Sequence, residues 1–150
     1  MTKHLEKVEM NLKAIELLNC SLQLPATQST AITNFNFNIN IESRGDAPNK
    51  LMFVIVHIEI RNDDQSLALG ALSVSCIYEI PDFAAHIKVE PDGKLQIPQI
   101  LVESLNSISI STTRGVMFAT FKGTFLHNAV LPIIDPNQFQ ATPAPNMIYR

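Results

Sequence analysis

The chain has 150 residues, which fits one domain, with a net charge of −3 and 46% hydrophobic residues. Only 17% of the residues are charged, against about a quarter in typical soluble domains. No Lys/Arg cluster is present, which argues against duplex nucleic acid and anionic membranes as partners. The low charge predicts apolar surface that an oligomer, a binding partner or both would cover.

The two cysteines and the N-terminus point to a cytoplasmic protein. Cys20 and Cys76 each lie in an apolar alternating run, and we predict both to be small core residues in a reducing compartment. Residues 1–13 are charged and lack the apolar stretch of a signal peptide. No run approaches the roughly 20 apolar residues of a membrane-spanning helix.

The first half of the chain predicts strands. Residues 1–12 read as a polar lead-in, and 14–25 as a strand that ends at Pro25. The adjacent Leu17 and Leu18 break its alternation, which indicates a bulge. Residues 33–41 give the clearest strand, because asparagines at 34, 36, 38 and 40 alternate with an apolar row formed by Phe35, Phe37, Ile39 and Ile41.

Two further strands follow a turn at residues 44–49. Residues 50–61 are apolar at nearly every position, which predicts a strand that is buried on both faces or meets a partner on the second face. We expect His57 within it to be a half-buried structural or interface residue. A polar loop at residues 62–65 predicts antiparallel pairing with a fourth strand at 67–80.

The pattern then changes to helical spacing. Residues 81–96 read as an irregular loop, and 98–122 as a helix, with Pro98 in its first turn and Gly115 or Gly123 at its end. A short strand at 116–121 is the alternative. Residues 129–139 predict one helical turn packed on the sheet. The predicted fold is therefore α+β, with a four-stranded antiparallel sheet, one long helix and a short second helix. It forms a single domain over 1–140, followed by a flexible tail at 141–150.

No catalytic or cofactor motif is evident. The four histidines have no metal-ligand spacing, and neither a glycine-rich phosphate loop nor a GxSxG elbow is present. We therefore expect no metal, no cofactor and no enzymatic activity. An antiparallel sheet with one long helix also describes the hotdog thioester hydrolases, which are kept as an alternative although acid–base residues are sparse in the strands.

The apolar rows have two interpretations. Regular spacing is typical of core and oligomer interface. A groove of aromatic and flexible apolar side chains would instead bind many polypeptides, because burial is non-directional.

The chain resembles the SecB export-chaperone family over roughly residues 13–139. The resemblance lies in four strands followed by a helix that begins Pro98-Gln99-Ile100-Leu101 and reaches Thr113-Arg114-Gly115. The most specific part runs from Ile108 to the step Arg114-Gly115, then to Gly123-Thr124-Phe125-Leu126 and to residues 129–139. It is similar to the family's helix end and to the Leu-Pro segment, here Leu131-Pro132, that leads to a second helix.

The resemblance implies a cytoplasmic, ATP-independent holdase that binds unfolded polypeptides, among them precursors for export, and assembles as a dimer or tetramer. It implies client contacts from the strand of residues 33–41 and from the helix, which are Phe35, Phe37, Ile39, Ile41, Met117, Phe118 and Phe121. It also implies an oligomer interface along the helix, formed by Ile100, Leu101, Leu105 and Ile108.

Two departures bear on the export role. The family's acidic docking positions for the translocation motor ATPase fall at Asn19, Gln23 and near Ser73, which are uncharged. Residues 116–122 also separate the Arg-Gly step from the Gly-Thr-Phe element, which shorter members run together. Both weigh against delivery to the export motor, and some SecB-like proteins instead guard an antitoxin or serve other cytosolic clients, which is the alternative role.

Overall fold

A computed structural model describes residues 8–23, 34–63 and 67–135 of the chain. Eight elements follow one another along the chain: β1 (Asn11–Leu22), β2 (Asn36–Asp46), β3 (Leu51–Arg61), β4 (Ala68–Glu79), α1 (Phe83–His86), β5 (Lys88–Val89), β6 (Leu95–Gln96) and α2 (Gln99–Phe121). The α+β class is confirmed. The predicted tail at 141–150 lies outside the described residues.

The main sheet has the strand order β1-β4-β3-β2, with every pair antiparallel. The turn Ala47–Lys50 joins β2 to β3, and its Lys50 adopts a positive φ of 57°. β1 lies beside β4 instead of β2, so β1 and β2 form the two edges of the sheet.

The core lies between one face of the sheet and α2. The inner face of β3 carries Met52, Val54, Val56, Ile58 and Ile60, all almost fully buried. The inner face of β4 is equally buried and carries Leu72, Val74, Cys76 and Tyr78. On the outer face of β3, Ile55 is buried while its neighbours are half-buried. The prediction of burial on both faces therefore holds only for part of this strand.

The long helix runs to Phe121, so the predicted long helix is confirmed and the alternative strand at 116–121 is wrong. Thr113, Met117 and Phe121 follow one another at intervals of four residues, and all three are buried. Gly115 lies within the helix, whereas Gly123 has a φ of 82° just after its end.

Two predicted boundaries need correction. β1 begins three residues earlier than the predicted start at 14. β2 extends to Asp46, because Glu42 and Arg44 continue its outer face while Ser43 and Gly45 continue the inner one. A Cβ on Gly45 would lie 3.0–3.2 Å from Leu95, Phe83 and Val89, so the absent side chain makes room for the segment that follows β4.

The region predicted as an irregular loop is partly ordered. It contains the short helix α1 and the small hairpin of β5 and β6. Phe83 is buried in the core and anchors α1. Among residues 129–135 no helix forms, and 136–139 lie outside the described part of the chain.

Candidate functional site

A row of exposed apolar side chains lies along the edge strand β1. Ile15 and Leu17 are each 48% exposed, and the row extends to Leu12 and Leu22. In register these residues face Tyr78, Cys76, Val74 and Gly70 of β4, so they lie on the inner face of the sheet. We call Leu12, Ile15, Leu17 and Leu22 the β1 row.

The β1 row is exposed because one helix cannot cover four strands. Strands lie about 4.8 Å apart, whereas a helix with its side chains is about 10 Å wide. The long helix α2 packs on the central strands β3 and β4. Inner-face side chains on β1 are thus left beside the helix instead of beneath it.

Two irregularities modify the β1 edge. Its register with β4 shifts between Leu12 and Ala14 and again between Leu17 and Asn19. Leu18 occupies the second shift and is 52% exposed. The bulge predicted from the Leu17–Leu18 pair is confirmed. Bulges bend a strand and interrupt its hydrogen-bonding pattern, so they disfavour indiscriminate pairing at this edge.

The side of α2 that points away from the sheet is also apolar and largely uncharged. It exposes Ile100, Ile108 and Phe118, and we call these three the helix row. The residues between them on this side are small: Ser104, Ser107, Ser111 and Gly115. The small side chains leave a shallow surface between the larger apolar groups.

The segment after α2 is attached to the helix through Arg114. Its Nε donates a hydrogen bond of 2.8 Å to the carbonyl oxygen of Leu131, and Nη2 donates one of 2.9 Å to that of Pro132. Leu131 is buried, but the adjacent Val130 is 51% and Ile133 is 95% exposed. Arg114 therefore fixes a backbone stretch that presents apolar side chains outward.

The structure separates the predicted client residues into three environments. Phe118 is exposed, and its ring lies 5.9 Å from that of His127. Met117 and Phe121 are buried in the core. The strand residues Phe35, Phe37, Ile39 and Ile41 are half-buried on the inner face and pack against the core. A client-binding role for all seven stays a prediction.

The predicted interface residues divide in the same way. Ile100 and Ile108 belong to the exposed helix row, whereas Leu101 and Leu105 are buried beneath α2. The spacing of three and four correctly placed all four on a helix. Spacing alone did not tell the sheet-facing side from the opposite side, because both carry apolar residues. Their role as an oligomer interface also stays a prediction.

Sequence reasoning missed the exposure of β1. Cys20 lies in an apolar alternating run and was therefore predicted to be a core residue. The prediction for Cys20 is wrong, since this thiol is exposed, whereas that for Cys76 is confirmed. The missing signal was topological: alternation identifies a face but does not say whether a helix lies over it.

The outer face of the sheet is polar. Asn36 Nδ2 donates hydrogen bonds to the backbone oxygens of Asn62 and Asp63, and Asn38 Nδ2 donates one to Glu59. The asparagine row of β2 therefore stabilises its pairing with β3. A hydrogen bond from the Arg61 guanidinium lowers the pKa of Glu59.

A second polar line crosses three strands of that face. Arg44 Nε lies 2.6 Å from the buried Glu42 carboxylate, and His57 Nδ1 lies 2.7 Å from Ser73 Oγ. His57 is half-buried, as predicted. Asn19 pairs directly with Ser73 in register, so these two uncharged residues are neighbours on the sheet.

A buried polar group lies between the sheet and α2. The Tyr78 hydroxyl is 2.7 Å from Ser109 Oγ, and both residues are almost fully buried. Burial raises the pKa of Tyr78 and also that of the Cys76 thiol. Because a buried hydroxyl needs a partner, this contact favours one position of the helix along β4.

Within residues 8–23, 34–63 and 67–135, no group of three or more His, Cys, Asp or Glu side chains is placed to hold a metal ion. In the same part of the chain, no helix combines the length and apolar character needed to cross a membrane.

No protein-family model and no curated protein matches the sequence. A solved structure does match: the Mycobacterium tuberculosis SecB-like chaperone Rv1957 in complex with a ChAD peptide from the HigA1 antitoxin. The TM-score is 0.57 at 10% sequence identity, over 83% of this chain and 90% of that one. At 10% identity, what the two proteins share is the fold. The protein therefore has the fold of a SecB-like chaperone.

Proposed function

We propose that the protein is an ATP-independent chaperone that binds unfolded or extended polypeptide segments on apolar surface. The observation that carries the proposal is the exposure of the β1 row and the helix row on a SecB-like fold. Monomeric proteins rarely leave contiguous apolar patches of this kind uncovered. A non-enzymatic role in the cytoplasm is part of the proposal.

A second copy of the chain is the other expected occupant of these rows. The β1 row runs along a sheet edge, and the helix row is uncharged with small residues between its apolar side chains. Both features suit close packing between copies, because small residues let helices approach and apolar burial stabilises association. We propose a homo-oligomer, a dimer or a tetramer, in which Ile100 and Ile108 contact another copy.

Clients would bind where apolar side chains remain after assembly. Phe118 and Ile133 supply exposed surface, and Phe35 and Phe37 line the inner face at the β2 edge. Met117 and Phe121 would support this surface from below. Delivery to the export motor has weaker support, because Asn19 and Ser73 are uncharged at positions where the family resemblance implies acidic docking residues.

A dedicated single-partner chaperone is the second candidate. It is favoured by the fold neighbour, which was solved with a peptide from an antitoxin. The two candidates differ in breadth: a general holdase binds many unfolded chains with similar affinity, whereas a dedicated one binds one sequence far more tightly.

The test is light scattering of an aggregating unfolded protein, with and without this chain, in the absence of ATP and alongside a mass measurement. Suppression at near-stoichiometric ratio by an oligomer supports the general holdase. Phe118→Ser should weaken suppression, and Lys122→Ser, an exposed change just beyond the helix, serves as the matched control. If the chain suppresses the aggregation of none of several unrelated proteins, the general holdase is excluded. Thioester hydrolysis by the same preparation would favour the hotdog alternative.

A further inference from the structure

Strand β2 forms an edge of the main sheet. In the strand order β1-β4-β3-β2, β3 lies on one side of β2, and no strand among the described residues pairs with its other side. The backbone N–H and C=O groups of an edge strand point alternately toward the neighbouring strand and away from it. The hydrogen-bonding phase of the sheet determines which residues of β2 present these groups outward.

Two backbone bonds fix this phase. The Ile80 N–H donates a hydrogen bond of 2.8 Å to the Lys50 oxygen, so this pair is a hydrogen-bonded one. Because bonded pairs alternate along an antiparallel ladder, the even-numbered residues of β3 bond to β4 and the odd-numbered ones face β2. A bond of 2.9 Å from the Gln23 N–H to the Leu69 oxygen agrees, since it directs Leu69 toward β1 and Gly70 toward β3.

The outward backbone groups of β2 belong to its apolar residues. The even-numbered residues of β2 are the register partners of the odd-numbered residues of β3, so their backbone groups bond to β3. The N–H and C=O groups of Phe37, Ile39 and Ile41 therefore point away from the sheet. The side chains of these three residues are half-buried on the inner face and pack against the core. We call Phe37, Ile39 and Ile41 the β2 edge.

The β2 edge lacks the features that usually prevent strand pairing, which are bulges, charged side chains and proline. β1 has two register shifts, whereas the register of β2 with β3 is unbroken. Residues 36–41 contain neither a charged residue nor a proline. At roughly 3.3 Å per residue this stretch is about 20 Å long, enough for a partner segment of about six residues.

We propose that an extended segment of an unfolded polypeptide adds to the main sheet as a further strand beside β2. The inference rests on the proposed chaperone function and specifies how a client is bound. The client's main chain bonds to Phe37, Ile39 and Ile41, and because every sequence carries these groups, they give affinity without a particular sequence. Every second client side chain extends the apolar inner face, so segments that alternate apolar and uncharged polar residues fit best.

An unfolded polypeptide is the partner that matches these groups. It exposes main-chain donors and acceptors along its whole length, whereas a folded protein has paired nearly all of its own. The asparagines at 36, 38 and 40 on the outer face are neutral, as are the apolar side chains on the inner face. The edge therefore selects neither acidic nor basic segments.

The first experiment measures amide hydrogen exchange in the full chain by NMR, residue by residue. Without a client, the amides of Phe37, Ile39 and Ile41 should exchange faster than those of Asn38 and Asn40, which bond to β3. A saturating amount of a reduced, alkylated, permanently unfolded polypeptide should slow exchange at the first three about tenfold or more. Exchange at the two asparagines should change little, so they serve as the internal control.

Two results of this experiment would overturn the proposal. One is a bound polypeptide, detected by fluorescence anisotropy, that leaves the amides of the β2 edge exchanging as in the free chain. The other is slow exchange at these amides before any polypeptide is added, because the edge would then already be paired, for example with a second copy.

A short peptide of alternating valine and threonine tests main-chain pairing directly. N-methylation removes a donor and blocks one side of a strand. Methyl groups on the valine amides should abolish binding to an antiparallel site and those on the threonine amides should be tolerated, with the reverse for a parallel site. Equal effects of the two sets contradict the proposal. If the unfolded polypeptide does not bind, the chaperone function fails, while this peptide still decides whether the edge accepts a strand.

Ile39→Pro removes one outward N–H from the β2 edge. A strand edge tolerates proline where the N–H faces solvent, so the variant should fold. Ile39→Ala is the matched control, because it removes the same apolar side chain but keeps the N–H. The Kd of Ile39→Pro for the unfolded polypeptide should exceed that of Ile39→Ala by about fivefold or more. Equal Kd values in the two folded variants would mean that side chains alone bind the client. If Ile39→Pro does not fold, the methylated peptides decide.

Discussion

Arg114 Nε donates a hydrogen bond of 2.8 Å to the carbonyl oxygen of Leu131, seventeen residues further along the chain. A second bond from the same guanidinium reaches the oxygen of Pro132 at 2.9 Å. One side chain thus holds two successive carbonyls of a stretch that has no regular secondary structure. This arrangement determines where the exposed Ile133 lies relative to the helix.

Replacing Arg114 should release that stretch. Lysine keeps the charge but lacks the planar fork that reaches two acceptors, so Arg114→Lys should cost about 1–3 kcal/mol of unfolding free energy. Hydrogen exchange should accelerate over residues 129–135 more than within β3. Arg61→Lys, at a partly exposed ion pair with Glu59, is the control and should change stability by less than about 0.5 kcal/mol. Equal effects of the two substitutions would contradict the role of Arg114.

The neighbours Met117 and Phe118 test which side of α2 binds clients. Phe118→Ser removes an exposed side chain and should raise the Kd for an unfolded polypeptide about tenfold, equivalent to 1.4 kcal/mol. Its unfolding free energy should change little. Met117→Ala empties a buried position and should cost about 2–5 kcal/mol of stability. If the Phe118→Ser variant bound the polypeptide with unchanged affinity, Phe118 would not belong to the client-binding surface.

Two glycines should respond oppositely to alanine. A Cβ at Gly70 would lie 2.6 Å from Leu126 Cδ1 and 3.0 Å from the Ser21 carbonyl oxygen, so Gly70→Ala should destabilise by about 1–3 kcal/mol. Gly115 is helical with open space at its Cβ, so Gly115→Ala should stabilise each chain by about 0.5–1 kcal/mol. Denaturant unfolding measures both values. If Gly115→Ala weakened the oligomer without lowering the stability of the monomer, Gly115 would lie at a close contact between copies.

The buried Tyr78 predicts a loss of stability in alkali. Burial raises its pKa in the folded state, so above a pH of about 10 the unfolded chain gives up a proton that the folded chain retains. The unfolding free energy must then fall as the pH rises. Tyr78→Phe should cost about 1 kcal/mol at neutral pH, because Ser109 loses its partner, and should flatten the alkaline slope. The Cys76 thiol, whose pKa is also raised, begins to contribute at lower pH, so the comparison is made in a Cys76→Ala background.

The two thiols report whether the β1 row is covered. Cys20 is exposed and lies opposite Leu72 on the same face as Leu17, whereas Cys76 is buried. In the proposed oligomer, Cys20 should react slowly with a maleimide and faster after dilution or in Leu17→Asp. Cys76 should remain unreactive until the chain unfolds. Fast Cys20 labelling at every concentration would exclude an interface over this strand.

Local patterns in the sequence were sufficient for most of the elements. The period of two in residues 33–41 and 67–80 and the spacing of three and four after Pro98 predicted β2, β4 and α2, because side-chain spacing follows directly from backbone geometry. The adjacent Leu17 and Leu18 predicted the bulge in β1. The missed hairpin of β5 and β6 is short, and strands of two residues carry no detectable period.

Which apolar faces are covered was decided by tertiary structure. Cys20 and Cys76 each lie in an apolar alternating run, yet one is exposed and the other is buried. The difference arises because β1 lies at the edge of the sheet, whereas β4 lies beneath a helix that is only wide enough for the central strands. Likewise, Ile108 and Leu105 are both aliphatic residues of α2. Ile108 is exposed and Leu105 is buried only because of where the sheet lies.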